Sequence, residues 1–251
     1  VGWRPNYPKP ETQKQALREV LLQLRPDVLA LQEMGPLEYL LELQADLKAL
    51  GLDYPYTAWC EGQDVHRHLA VLSRIAFAVH PVCDISVNEN PGTFIKRGFL
   101  YLKFESPHPW SLGVVHLKSS EFVRKPSGTD PGKAQREAEA ASLMAWFDKN
   151  PHSMPDILLG DFNDGPRSGT LELFTSVQKS IHFDRLQPRD TQGFTWTFCQ
   201  QKSGIHSTLD HVLVNTKTYS SGHSVAHEVY LYDAQACLKA SDHRLLYCTF
   251  D

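Results

Sequence analysis

The sequence predicts an α/β protein in which sheets and helices are stacked as a layered sandwich. Three observations support this fold class: amphipathic helical segments alternate with short strands, some strands alternate apolar with polar residues, and others are apolar throughout. An apolar strand needs cover on both faces, whereas an alternating strand has one polar face. We therefore expect sheets that pack against helices on one face and against a second sheet on the other.

The chain begins with a helix, a strand and a second helix. Residues 11–24 carry apolar side chains at three- and four-residue spacing and are followed by Pro26, which predicts an amphipathic helix that ends before the proline. Residues 28–33 form an apolar run of strand length. Residues 36–50 are predicted as the second helix, because proline favours the first turn and Gly51 the position just past the end.

The remainder of the chain predicts further strands and one more long helix. The helix covers about residues 132–149, after a loop with several prolines and glycines from Lys118 to Gly132. No linker, internal repeat or low-complexity tract divides the chain, so we expect a single domain over residues 1–251. The predicted strands are residues 68–72, 98–104, 112–117, 156–159, 195–198, 209–214 and 245–250.

Composition and charge exclude two classes of protein. No apolar run approaches the roughly 18 residues that a membrane span requires, so no transmembrane segment is expected. The formal net charge of −4 argues against a protein that coats nucleic acid by bulk electrostatics, although it leaves room for a local basic groove. We expect a soluble monomer, either secreted or cytoplasmic, and the sequence leaves the compartment open.

The cysteines are predicted to be buried free thiols. They show no Cys-x-x-Cys spacing, lie mostly in apolar or strand-like segments, and are odd in number. One or two disulfides in an exported protein would still be compatible with this distribution. The residues are Cys60, Cys83, Cys199, Cys237 and Cys248.

The stretch Leu-Leu-Gly-Asp-Phe-Asn at residues 158–163 is the most informative local signal. A buried strand runs directly into a turn that presents Asp161 and Asn163 two positions apart. In α/β folds ligands bind at the carboxyl ends of strands, because the strand fixes the backbone while the loop lets side chains reach outward. The same two side chains could instead only build a turn through hydrogen bonds to the backbone.

Other polar residues lie at or near the ends of different predicted strands. Glu33 is either a helix-capping residue or a metal ligand, and His116 is either a hydrogen-bonded core residue or a catalytic one. Asp210 lies inside a strand and needs a cationic or hydrogen-bonding partner to offset its desolvation. Asp242 and His243 precede the last strand and form either a turn or part of a site. Their common position at strand ends favours one shared site.

In this order the motifs resemble those of the endonuclease/exonuclease/phosphatase superfamily, which includes pancreatic deoxyribonuclease, apurinic endonucleases, bacterial neutral sphingomyelinases and inositol polyphosphate 5-phosphatases. The resemblance covers nearly the whole chain and implies a four-layer α/β sandwich, two stacked mixed β-sheets flanked by helices. The matching segments are residues 31–33 (Leu-Gln-Glu), 115–119 (Val-His-Leu-Lys-Ser), 160–163 (Gly-Asp-Phe-Asn), 209–211 (Leu-Asp-His) and 241–243 (Ser-Asp-His).

One departure from the family pattern lies at the beginning of the chain. Family members begin with a strand that ends in an asparagine, whereas this sequence starts at Val1, just after that residue is due. Asn6 is a poor substitute, because it lies in a stretch punctuated by prolines. Loss of a central strand would expose the hydrogen-bonding groups of its neighbours, so we expect a leading strand that the given sequence omits.

The resemblance implies metal-assisted phosphoester hydrolysis. A hard divalent cation held by carboxylates can neutralise the charge that builds up on phosphate oxygens. Glu33 is the first choice of ligand, with Asp242 in support. The chain has no zinc-type cluster of cysteine and histidine, so we expect Mg²⁺, with Mn²⁺ as a replacement.

The resemblance also assigns catalytic roles. Asp161, Asn163 and His243 would orient and deprotonate the attacking water. Asp210 would orient His243, and His116 would contact a phosphate oxygen or the leaving group. His243 is either the general base or, when protonated, an electrostatic partner of the phosphate, and both roles need the same geometry.

A basic stretch after His116 is predicted to hold the substrate phosphate through Lys118 and Arg136. Basic residues outnumber acidic ones there, which suits a phosphate backbone, although the stretch could equally be a solvated loop and helix start. The basic residues are Lys118, Arg124, Lys125, Lys133 and Arg136, and the acidic ones are Glu121 and Asp130.

These features favour a phosphodiesterase that acts on nucleic acid, because the His-Leu-Lys-Ser segment and the basic stretch resemble nuclease-like members of the family. A phosphomonoesterase, or a lipid phosphoesterase acting on sphingomyelin or inositol phosphates, is the alternative, since one fold hosts all of these activities. A non-catalytic binding module is the alternative from another class. Retention of the site residues argues against such a module.

Overall fold

The computed structural model describes residues 9–90, 92–105, 109–120, 130–178, 181–217 and 228–249. The helices in these ranges are α1 (Glu11–Leu24), α2 (Leu37–Ala49), α3 (Lys133–Lys149), α4 (Gly169–Thr175) and α5 (Ala234–Ala240), and short 3-10 turns lie at Val87–Glu89 and Pro151–Ser153. None of these helices is long and apolar enough to cross a membrane.

The described strands form one large sheet and several smaller ones. In chain order the strands are β1 (Val28–Met34), β2 (Tyr56–Cys60), β3 (His68–Ser73), β4 (Ala78–Val82), β5 (Phe99–Phe104), β6 (Trp110–His116), β7 (Ile157–Asp161), β8 (Phe183–Leu186), β9 (Pro188–Arg189), β10 (Phe198–Gln200), β11 (Ile205–Ser207), β12 (Asp210–Asn215), β13 (Val229–Leu231) and β14 (Leu246–Tyr247). The large sheet is mixed and has the order β4-β5-β6-β7-β12-β8, and the smaller ones are β1-β3-β2, β14-β13-β9 and the hairpin β10-β11.

Alternating side chains on the strands build three apolar layers. Residues such as Val71 and Val114 form the core between the large sheet and the β1-β3-β2 sheet. The opposite face of the large sheet packs against α3 and α4 through residues that include Phe147. Leu21 of α1 and Leu40 of α2 cover the outer face of the β1-β3-β2 sheet. The predicted four-layer α/β sandwich is therefore confirmed, whereas a single domain over residues 1–251 stays a prediction.

Most predicted elements agree with the structure, and two strands near the C-terminus differ. The strand predicted at 195–198 is wrong, because pairing begins only at Phe198. The hydroxyl of Thr197 instead accepts hydrogen bonds from the backbone of Leu209 and Asp210, so this segment crosses the beginning of β12. The strand predicted at 245–250 is reduced to β14, and Phe250 lies outside the described residues.

Candidate active site

Three polar residues lie side by side at one end of the large sheet. Strand β7 is flanked by β6 in parallel and by β12 in antiparallel orientation, and the register aligns both His116 and Asp210 with Asp161. All three residues are buried, with no more than 8% exposed. Atom Nε2 of His116 is 3.4 Å from Oδ2 of Asp161. Because paired residues point to the same face of a sheet, the strand order brings these side chains together.

His243 joins this row from the segment that precedes β14. Its Nδ1 atom is 2.8 Å from Oδ2 of Asp210. A bridge pairs its backbone with Phe198 of β10, whose ring centroid is 4.9 Å from that of the imidazole. Asp161, Asp210 and His243 each place a potential ligand atom within 4.8 Å of the others. The structure thus gathers these predicted catalytic residues into one cluster.

The turn after β7 fixes the carboxylate of Asp161. Asn163 has a φ of 53°, a left-handed conformation that asparagine tolerates better than most residues. Its backbone N–H donates to Oδ1 of Asp161 at 2.8 Å, and its side-chain amide donates to Oδ2 at 3.1 Å. The same amide donates to the carbonyl of Leu117 at 3.0 Å. Asn163 therefore orients Asp161 and ties the turn to the end of β6.

The buried carboxylates of the cluster form a suitable site for a cation. Burial, followed by repulsion from Asp210, raises the pKa of Asp161 to about 7, and the charge of Glu33 adds to this effect. A divalent cation would relieve the repulsion, and carboxylate oxygens are the ligands that hard cations prefer. The residues present therefore fit the metal ion that the motifs imply.

His116 and His243 carry different charges. Burial, followed by the positive charge of Arg97, holds the pKa of His116 well below its usual value, so this imidazole is neutral at pH 7. Burial also opposes the charge of His243, but the Asp210 carboxylate outweighs it and raises the pKa of His243 to about 10. The side chain of His243 keeps 30% exposure, which leaves part of this charged ring open to a substrate.

Glu33, the first predicted metal ligand, lies at the exposed edge of the cluster. It belongs to a bulge of β1, where pairing with β3 is interrupted between Leu31 and Met34, and its φ is 55°. Its side chain is 47% exposed, and Oε1 lies 3.4 Å from Nε of Arg67. The bulge thus leaves the carboxylate accessible to an ion, and strained backbone of this kind concentrates at functional sites.

Asp242, the second predicted ligand, is exposed, and its backbone carbonyl accepts a hydrogen bond from Cys199. Burial lowers the pKa of Lys9, and the carboxylates of Asp242 and Glu33 counteract that effect. The Lys9 ammonium also donates to the carbonyl of Ala240 at 2.5 Å. Both predicted ligands therefore lie near one lysine, which the sequence interpretation did not include.

Arg136, which was predicted to hold a substrate phosphate, is buried and forms ion pairs within the protein. Its guanidinium is 2.8 Å from the carboxylate of Asp130 and 3.1 Å from that of Asp164, and it donates to the carbonyl of Lys118. The residue is only 2% exposed, and none of these three contacts is with Asp161, Asp210 or His243. We interpret Arg136 as a residue that holds the segment after β6 against the turn after β7.

Lys118 is half-buried, and its backbone N–H donates to the carboxylate of Glu139. A contact between Lys118 and a substrate phosphate stays a prediction. Three other charged residues of the basic stretch, Glu121, Arg124 and Lys125, lie outside the described residues.

Replacing Arg136 by methionine is expected to lower the free energy of unfolding by about 3 kcal/mol, because Asp130 and Asp164 would lose a buried partner. Urea denaturation measures this change. Lys133→Met is the matched control, since the Lys133 side chain is 61% exposed and its pair with Glu137 is worth at most about 1 kcal/mol. Unchanged stability of Arg136→Met together with a raised KM would instead support the phosphate-binding interpretation.

Residues that support the site from neighbouring loops carry no signal in the sequence. Arg97 is buried, contacts the carboxylate of Asp64 at 3.2 Å and donates to the carbonyl of Leu117 at 2.7 Å. Arg67 links Asp64 to Glu33. Asp64 and Arg67 share one loop, whereas Arg97 lies on another and Glu33 on β1, so the network forms only in the folded chain and no motif spacing identifies it.

Two comparisons of sequence were informative about the family of the chain. A model of the Endonuclease/Exonuclease/phosphatase family matches residues 4–243. A search of curated protein sequences found no match.

Comparisons of structure find the same fold in several solved proteins. An endonuclease/exonuclease/phosphatase from Bacteroides vulgatus aligns with a TM-score of 0.65 and 13% identity, over 96% of this chain and 90% of that one. The catalytic domain of human Nocturnin aligns with a TM-score of 0.65 and 16% identity, over 98% and 89%. Sphingomyelinase C from Streptomyces griseocarneus aligns with a TM-score of 0.59 and 16% identity, over 98% and 90%. At these identities the likeness shows the fold alone.

Proposed function

The chain belongs to the endonuclease/exonuclease/phosphatase family of phosphoester hydrolases, and we propose that it is a Mg²⁺-dependent phosphodiesterase that cleaves nucleic acid. The family match confirms the resemblance carried by the motifs. The cluster of Asp161, Asp210 and His243, within 4.8 Å of one another, is the observation that carries the functional proposal. Buried carboxylates attract a cation and an imidazolium attracts a phosphate, so the cluster combines both requirements of phosphoester hydrolysis.

Glu33, with Asp242 in support, is proposed to hold the Mg²⁺ ion, and Mn²⁺ would replace it. The bound ion supplies positive charge that neutralises the phosphate oxygens as hydrolysis proceeds. The exposed carboxylate of Glu33 and the exposed position of Asp242 support this assignment. Burial, followed by repulsion from Asp210, raises the pKa of Asp161 to about 7, and a bound cation would favour the charged form of this carboxylate.

Asp161 is proposed to hold the attacking water and to accept its proton. Asn163 fixes both carboxylate oxygens of Asp161, and a carboxylate held in one orientation can accept the proton of a water bound beside it. The water oxygen bonds to phosphorus while the opposite bond to the leaving oxygen breaks. The neutral imidazole of His116, beside the Asp161 carboxylate, would contact a phosphate oxygen or the leaving group.

His243 is proposed to act as the charged partner of the phosphate. Asp210 accepts the hydrogen bond from Nδ1 and keeps the ring protonated, with a pKa of about 10. The other ring nitrogen would then donate to a nonbridging phosphate oxygen, and this interaction strengthens as charge accumulates there. A general-base role would need a neutral ring, which the Asp210 carboxylate disfavours.

Nucleic acid is the preferred substrate because the segment 115–119 and the basic stretch that follows it resemble nuclease-like members of the family. One observation favours a lipid phosphodiester as a second candidate. Ile205 is more than half exposed and belongs to the β10-β11 hairpin, which is bridged to His243. Exposed apolar side chains near a site suit an amphiphilic substrate better than a nucleic acid.

A parallel assay of plasmid DNA, RNA, sphingomyelin vesicles and inositol phosphates, with Mg²⁺ and with chelator, tests the proposal. We expect cleavage of DNA or RNA in Mg²⁺ and at least a roughly hundredfold loss on chelation, because the ion stabilises the transition-state charge. Hydrolysis of sphingomyelin alone would select the second candidate. Failure to hydrolyse even bis-p-nitrophenyl phosphate with Mg²⁺ or Mn²⁺ would point to a non-catalytic module.

A further inference from the structure

Two cysteine thiols from different sheets meet in the interior of the protein. Cys60 is the last residue of β2, and Cys83 directly follows β4 of the large sheet. Their sulfur atoms are 3.2 Å apart. Both thiols are free, with Cys60 buried and Cys83 half-buried. Among the described residues, no second pair of thiols is in hydrogen-bonding contact.

Gly98 leaves the space that the two sulfur atoms occupy. Its φ is +70°, and a Cβ atom on it would lie 2.8 Å from Sγ of Cys60 and 3.6 Å from Cα of Cys83. Any side chain at position 98 would therefore push the Cys60 sulfur away from its present position. The contact between the thiols thus depends on the backbone around them as well as on the cysteines themselves.

We propose that Cys60 and Cys83 form a disulfide, a covalent link between the two stacked sheets, when the protein meets a thiol oxidant such as glutathione disulfide. The Cys83 thiolate attacks one sulfur of glutathione disulfide and releases one glutathione. The Cys60 thiolate then attacks the Cys83 sulfur and releases the second. The two cysteines lose two electrons, one glutathione disulfide is reduced to two glutathione molecules, and the thiol protons pass to these products.

The surroundings of the two thiols set this order of attack. Burial, followed by the hydrogen bond with Cys83, raises the pKa of the Cys60 thiol, which makes it a poor first nucleophile. Cys83 is more accessible and so meets the oxidant first. Once the mixed disulfide has formed, Cys60 already lies in contact with the sulfur that it must attack.

The bond would close a loop of about 24 residues, and a cross-link of this length restricts the unfolded chain. Oxidation of the purified protein with glutathione disulfide is therefore expected to raise Tm by roughly 5–10 °C relative to the reduced protein. Intact mass should fall by two hydrogen atoms, and digestion without reductant should release one peptide pair that joins Cys60 to Cys83. Dithiothreitol should reverse each change.

Cys83→Ser is expected to abolish the Tm shift, and Cys60→Ser should do the same if it folds. Cys248→Ser is the matched control, because Cys248 is also half-buried but contacts no other thiol, and it should retain the full shift. A stable glutathione adduct on Cys83, a linkage to another cysteine, or an unchanged mass after oxidation would each overturn the proposal. These readouts do not involve substrate or metal, so they are independent of the proposed phosphodiesterase activity.

Discussion

Replacing His243 by alanine is expected to lower kcat for phosphodiester hydrolysis at least about a thousandfold while the fold remains intact. The variant lacks the imidazolium that would donate to the phosphate. It also leaves Asp210, 2.8 Å from the present Nδ1 atom, as an unpaired negative charge beside Asp161. Turnover of bis-p-nitrophenyl phosphate in Mg²⁺ measures the loss, and circular dichroism checks the fold.

Glu33→Ala and Asp161→Ala are expected to cause losses of the same order, because one would remove an ion ligand and the other the proton acceptor. His80→Ala is the matched control, since His80 is an exposed histidine of β4 and should keep full activity. Full turnover by all three site variants would contradict the assignment of the active site.

The charge of the His243 ring distinguishes a role as general base, which needs a neutral ring, from a role as charged partner of the phosphate. Its pKa is raised from 6.5 to about 10 by Asp210, so the stabilisation from this pair is fully present below pH 6.5 and is lost as pH rises through about 10. The ring is therefore charged at pH 6 and at pH 8. Histidine NMR signals of the metal-free protein should show no titration of His243 between these values. A titration near pH 6.5 would favour the general-base role.

Local patterns predicted the three long helices, because the causes of those helices are local, but the short helices α4 and α5 were not predicted. The helix at 11–24 agrees with the structure at both ends, since apolar spacing sets its buried face and Pro26 follows its last turn. The alignment of His116, Asp161 and Asp210 depends instead on the strand order β6-β7-β12. No local pattern encodes strand order, so the strand-end positions and the family resemblance indicated a shared site but not which side chains lie next to each other.

A count of charges along the sequence could not show the environment of Arg136, because distant carboxylates decide it. Arg136 was predicted to hold a phosphate because basic residues are concentrated around it, but Asp164 lies 28 positions further along the chain and folds back to pair with its guanidinium. The sequence also does not indicate the bulge that exposes Glu33, because the bulge is an interruption in the pairing of β1 with β3. Both features follow from tertiary pairing.

Replacing Gly160 by alanine is expected to lower the free energy of unfolding by more than about 4 kcal/mol, among the largest effects of a single substitution. Gly160 has a φ of +141°, a conformation that residues with a side chain rarely adopt. A Cβ atom there would lie 2.0 Å from the backbone oxygen of Val115, its partner on β6. Urea denaturation followed by circular dichroism measures the change.

Gly165→Ala is the matched control, because a Cβ atom at that position meets no atom within 4 Å and only a small change in stability is expected. Normal stability of Gly160→Ala would contradict the close pairing of β6 with β7. The contrast with His243→Ala is informative, because that variant should lose activity while β6 and β7 stay paired. Separation of β7 from β6 would also move Asp161 away from His116. We therefore expect Gly160→Ala to lose both stability and activity. Side-by-side pairing of these two strands is therefore a structural condition for the active site as well as for the fold.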